Sequence, residues 1–95
     1  MDTREHLMTL LMEECAEVSQ ACSKALRFGL DEKRENHAFS NAEYISMELS
    51  DVLAIFEMLA ATYPMPNPFS EQAISDKKAR VAKWMEYSRE RGMLQ

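Results

Sequence analysis

Glycine occurs only twice in these 95 residues, and all three prolines fall within a single stretch, Pro64, Pro66 and Pro68. With so few breakers, the rest of the chain has little reason to leave regular structure. No segment alternates apolar and polar residues as a half-buried strand would, which leaves helix as the expected element. Cysteine is scarce too. Cys15 and Cys22 lie seven residues apart on one expected helix, about 10.5 Å along its axis, which is too far for a disulfide. They read as buried free thiols. There is no CxxC pair, no signal peptide and no apolar run of membrane-spanning length, so the expected setting is a reducing cytoplasm with no membrane partner. Nor is there an excess of positive charge: the net charge of -5 argues against binding a nucleic-acid duplex.

What is present is apolar and charged in an uneven way. Hydrophobic residues make up 46% of the chain and include eight methionines, side chains that fill irregular gaps in cores and subunit interfaces. A single domain spanning 1–95 is expected, with a thin core, because a chain of this size buries only about 60–65% of its unfolded surface. Association with a second copy would help considerably. Residues 1–69 hold 5 basic and 12 acidic side chains, a net of -7, while residues 70–95 hold 6 basic and 4 acidic, a net of +2. Solvated helix faces account for most of these charges, but an acidic front and a basic final segment can also hold a cation and a polyanion.

Three helices are expected. The first runs from about Thr3 to Phe28, opened by Asp2 and Glu5 at capping-box spacing and closed by Gly29. Residues 30–39, with "DEKRENH", are polar and aperiodic and read as a solvated loop. A second helix starts near Ser40, which again has a glutamate three residues on, Glu43, and ends before "YPMPNP". Ser70 caps a third, from about Glu71 to Arg91, closed by Gly92. The expected fold class is all-α: an antiparallel helical hairpin plus a third long helix, completed into four-helix-bundle-like cores by oligomerisation.

Acids appear on these helices where core residues belong. At roughly 100° per residue, Glu14 falls between Leu10 and Leu7 within the apolar arc of the first helix, and Glu17 falls at its edge. Glu13 lies further toward the polar side. On the second helix, Glu48 falls between Ile55 and Leu59 and Asp51 between Tyr44 and Met58. Four carboxylates aimed at a core need positive charge, and no Lys or Arg is interleaved in either arc. A bound cation supplies it most simply. With carboxylate ligands alone, a hard ion such as Mg²⁺ or Mn²⁺ is favoured over Zn²⁺. A spacing of three residues stacks Glu14 on Glu17 and Glu48 on Asp51, so two antiparallel helices would form a four-acid cage. A di-iron carboxylate bundle would need Glu-x-x-His motifs, and the chain has none.

The ordered pair "EECAE" at 13–17 and "ELSD" at 48–51 resembles the EExxE and ExxD motifs of the MazG-like all-α nucleoside triphosphate pyrophosphohydrolases, a family related to dimeric dUTPases and dCTP pyrophosphatases. The resemblance covers about residues 5–90. It implies that Glu14, Glu17, Glu48 and Asp51 hold Mg²⁺ and that Glu13 assists in metal binding or in activating water, which places Glu13, Glu14 and Glu17 in the catalytic set. The implied reaction converts a nucleoside triphosphate to a monophosphate and pyrophosphate, in nucleotide pool control or housecleaning. It further implies a homodimer or a tetramer of two such dimers.

A triphosphate also needs cations. Lys77, Lys78, Arg80 and Lys83 on the third helix are candidates, as are Lys24 and Arg27 beyond the cage, with Lys77, Lys78 and Lys24 the leading three. Members of the family often carry an Asn in the corresponding basic motif, which "DKKARVAKW" lacks. Phe39, Asn41, Tyr44, Trp84 and Tyr87 are the side chains suited to contact a base, and none stands out. The contrasting expectation is a non-catalytic helical oligomerisation module whose acids bind a structural ion or a basic partner.

Overall fold

A computed structural model describes all of residues 1–95. It contains three helices, α1 (Thr3–Phe28), α2 (Asn41–Ala60) and α3 (Glu71–Glu90). Each begins where a side-chain oxygen takes over a backbone N–H that the helix cannot satisfy itself. Asp2 accepts from the Glu5 amide at 2.8 Å. Ser40 accepts from the Glu43 amide at 3.2 Å while the Glu43 carboxylate accepts from the Ser40 amide at 3.3 Å, a full capping box. Ser70 accepts from the Ala73 amide at 3.3 Å. No helix is long and apolar enough to cross a membrane.

The chain divides into two compact units, Met1–Pro64 and Met65–Gln95. In the first, α1 and α2 form an antiparallel hairpin. Near the start of α1, Arg4 donates to the Thr62 carbonyl just past the end of α2 (3.1 Å) and lays its guanidinium over the Tyr63 ring. The buried apolar residues are Leu7, Ala21, Ala25 and Leu59. Ala21 and Ala25 lie one turn apart, and their small side chains let the two backbones approach closely, while Leu7 and Leu59 supply the bulk. Each leucine contributes about 1.5–3 kcal/mol by leaving water.

This core is narrower than the apolar arcs. Met8, Leu26 and Phe28 are exposed, Leu26 at 88%. Cys15 and Cys22 are exposed as well, correcting the expectation of buried thiols. The cause is geometric: a single neighbouring helix covers only a stripe of its partner, and a wider arc is left uncovered along both margins.

The connection between α1 and α2 is the exposed loop expected, and it is anchored at both ends. Gly29 takes φ 99°, a conformation that L side chains rarely adopt, so the turn out of α1 favours glycine. Asn41, buried at the start of α2, donates through its amide to the Gly29 carbonyl (2.8 Å) and to the Glu32 carboxylate (3.1 Å). The Asn41 and Ala42 backbone amides reach the Glu32 and Leu30 carbonyls. The loop is therefore tied to the N-terminus of α2, whose first N–H groups are all taken, and it leaves Glu32 and Arg34 half-buried.

In the second unit, the Asn67 side chain accepts from the Phe69 amide at 2.9 Å ahead of α3, and Gly92 ends the helix region at φ 76°. No residue of α3 is buried. Its basic residues and its apolar residues Ile74, Val81, Trp84 and Met85 are all exposed.

Candidate metal centre and adjoining cavity

The hairpin brings the two acidic motifs together. Glu14 and Glu17 project from one side of α1, Glu48 and Asp51 from α2, and one carboxylate oxygen of each lies within 4.8 Å of the others. Glu14, Glu17 and Glu48 are half-buried and Asp51 is exposed, so the cluster is open on the Asp51 side. Oxygens on opposite sides of a hard divalent ion stand about 4–5 Å apart, and the cluster has that span. Glu13, although adjacent to Glu14, is exposed and lies outside the four.

The electrostatics are those of like charges gathered and partly desolvated. Burial, followed by the close approach of Glu17 and then by Asp51 and Glu48, raises the Glu14 pKa above the ordinary 4.5. Burial, then Glu17 and Asp51, raises that of Glu48, with Lys24 pulling in the opposite direction. One carboxylate oxygen of each, Oε2, is buried and has no hydrogen-bond partner. A protein seldom leaves buried acceptors of this kind unpaired. A divalent cation would satisfy both and relieve the mutual repulsion, and all-oxygen ligation suits Mg²⁺, Mn²⁺ or Ca²⁺. The residues present thus fit a hard metal ion.

Beside the cluster lies a cavity of about 320 Å³, within the range of small-molecule sites. Glu17 and Glu48 line it together with Gln20, Ala21 and Lys24 of α1, Asn41 and Tyr44 of α2, and Arg34 and His37 of the connecting loop. Its lining is therefore acidic where it shares Glu17 and Glu48 with the cluster, and basic at Lys24 and Arg34. His37 and Phe39 both stand edge-on to Tyr44, with ring centroids 5.8 and 5.7 Å away.

Of the expected phosphate-binding bases, Lys24 lines this cavity. Lys77 and Lys78 lie on α3, in the second unit, beside shallow grooves that include Val81 and Trp84 or Ile74 and Pro68. Asn41, a candidate for contacting a base, spends its amide hydrogens on the loop. Arg34 and His37 had no signal in the sequence. A polar aperiodic stretch gives no face; the ties from Asn41 and Ala42 to the loop, with Arg34 on the Phe28 ring and His37 against Tyr44, hold these two residues at the hairpin.

The chain matches no protein-family model, no curated protein and no solved structure.

Proposed function

We propose that this protein is a Mg²⁺-dependent nucleoside triphosphate pyrophosphohydrolase, acting on canonical or modified (deoxy)nucleoside triphosphates in nucleotide pool control. The observation that carries the reading is the convergence of four carboxylate oxygens within 4.8 Å beside a cavity that also presents cationic side chains. An acidic cluster alone would hold an ion; the neighbouring Lys24 and Arg34 suit an anion that meets that ion.

In this reading Glu14, Glu17, Glu48 and Asp51 hold Mg²⁺, with Mn²⁺ a substitute. The ion, when bound, neutralises charge developing on non-bridging phosphate oxygens. Glu13, outside the four, assists in metal binding or in activating the attacking water. The water oxygen bonds to a phosphorus of the α–β anhydride and gives its proton to a carboxylate, the bond from that phosphorus to the bridging oxygen breaks, and monophosphate and pyrophosphate leave. Lys24, which lines the cavity beside the cluster, is the base of the hairpin that contacts phosphate.

A homodimer, or a tetramer of dimers, is part of the same proposal. Within the hairpin Met8, Met12, Leu26 and Phe28 are exposed beside a narrow core, apolar surface that a second copy would cover. The same apolar surface would also serve a non-catalytic oligomerisation module with a structural ion. Melting with Mg²⁺ and a triphosphate separates the two, because a substrate site predicts stabilisation by both together beyond that by Mg²⁺ alone.

The direct test is incubation with a panel of ribo- and deoxynucleoside triphosphates and Mg²⁺, with products resolved by chromatography. Monophosphate and pyrophosphate are expected, and Glu14→Gln combined with Asp51→Asn should reduce turnover by about 10²–10³-fold. Orthophosphate as the only phosphate product, or activity surviving the double substitution, sinks the mechanism.

A further inference from the structure

Arg34 is held by two neighbours, the Glu32 carboxylate, with which it forms an ion pair, and the Phe28 ring. Its Nε donates to Glu32 at 3.3 Å, its guanidinium stacks on the Phe28 ring with 4.5 Å to the centroid, and Glu32 is itself pinned by the Asn41 amide. The buried Nη2 has no hydrogen-bond partner. A guanidinium fixed this way still has donor capacity that Glu32 does not use, and guanidinium donors suit the oxygens of phosphate or carboxylate. Arg34 lines the same cavity as Lys24, which lies seven residues beyond Glu17 on α1, about 10.5 Å along the axis. The cavity therefore has one region set by the acid cluster and another by two cations from different elements.

We infer that Lys24 and Arg34 form an anion-receiving subsite that takes the phosphates of the substrate lying beyond the acid cluster. This rests on the pyrophosphohydrolase reading for the identity of the anion, and it assigns phosphate recognition to the interhelical loop as well as to helical lysines. Arg34 supplies a guanidinium oriented by Glu32 and Phe28, and Lys24 a mobile point charge. The loop is preorganised by Asn41, so the guanidinium does not have to be ordered when the anion arrives.

Calorimetric titration of the full-length chain with inorganic tripolyphosphate in excess Mg²⁺ tests the subsite. Arg34→Ala and Lys24→Ala should each weaken binding about 10- to 100-fold, and Arg34→Lys, which keeps the charge but loses the guanidinium, should fall between Arg34→Ala and the unmodified chain. Lys33→Ala removes the same charge from an exposed neighbour outside the cavity lining, and should change affinity by no more than about two-fold. If circular dichroism shows Arg34→Ala to have lost helix, Lys24→Ala and Arg34→Lys decide the matter. Unchanged affinity in both alanine variants, an equal loss in Lys33→Ala, or no binding by the unmodified chain overturns the inference. Failure of the enzymatic reading looks different: tripolyphosphate then binds through Arg34 and Lys24, yet no nucleoside triphosphate is cleaved. If instead nucleotides are hydrolysed with the same KM in both alanine variants, the enzyme stands and the subsite falls.

Discussion

The α1–α2 hairpin and α3 are built from similar helices and treat their charges in opposite ways. In the hairpin three glutamates are drawn partly out of water beside one another, whereas every charged side chain of α3 is exposed. A solvated charge costs nothing to keep and therefore says little about function. Like charges gathered and desolvated lower stability unless something binds there, which is why the hairpin, and not the more basic α3, carries the functional assignment.

The contrast in packing can be broken most strongly at Leu59. Leu59→Ala should cost the hairpin about 2–4 kcal/mol, since the residue is 4% exposed and its removal leaves a cavity between helices. Val81→Ala on α3, at 42% exposed, should cost less than about 0.5 kcal/mol in the dissociated chain. Denaturant unfolding at low protein concentration reads both. Comparable losses would mean that α3 is packed as tightly as the hairpin.

A smaller difference is expected at the caps. Ser40→Ala removes the side-chain half of a reciprocal box and should cost about 1 kcal/mol, while Ser70→Ala removes a single bond of 3.3 Å and should cost less. Thermal melts of the two variants give the order directly, and a larger loss at Ser70 would reverse it.

The smallest effect is the most specific to the cluster. The folded-state pKa values of Glu14 and Glu48 are raised, so the folded protein binds more protons than the unfolded chain between 4.5 and those raised values. Metal-free protein should therefore gain stability from these two groups as the pH falls through that window, the reverse of the usual behaviour of paired carboxylates. The gain is modest because the cluster is open to solvent screening. It should shrink in Glu14→Gln. Mg²⁺ competes with the protons, so the stabilisation it confers should grow as the pH rises through the same range. Melting temperatures between pH 7 and pH 5, with and without Mg²⁺, check both signs. An identical slope in Glu14→Gln would show that the cluster does not titrate as a unit.

The helix boundaries were legible because their causes are local. Asp2, Ser40, Ser70, Gly29 and Gly92 act on backbone groups a few residues away, and the helices begin and end beside them. The four acids were legible for a different reason: spacing of three residues put each pair on one face, and two apolar arcs had to meet. Burial was less legible. The periodicity of Cys15, Cys22 and Leu26 marks a face without saying how much of it one neighbour covers, and all three are exposed. Arg34 had no periodicity at all, so its place in the cavity followed from nothing short of the folded loop.

Three capped helices and a pair of acidic motifs on their apolar arcs are fixed locally, since propensity, capping and a 3.6-residue repeat act over one or two turns. The register that closes Glu14, Glu17, Glu48 and Asp51 to within 4.8 Å, and the course of the loop that brings Arg34 to the cavity Lys24 lines, come from the packed fold alone. Both depend on contacts between residues far apart in the chain: the small Ala21 and Ala25 that let the helices close, and Asn41, whose amide bridges Gly29 and Glu32.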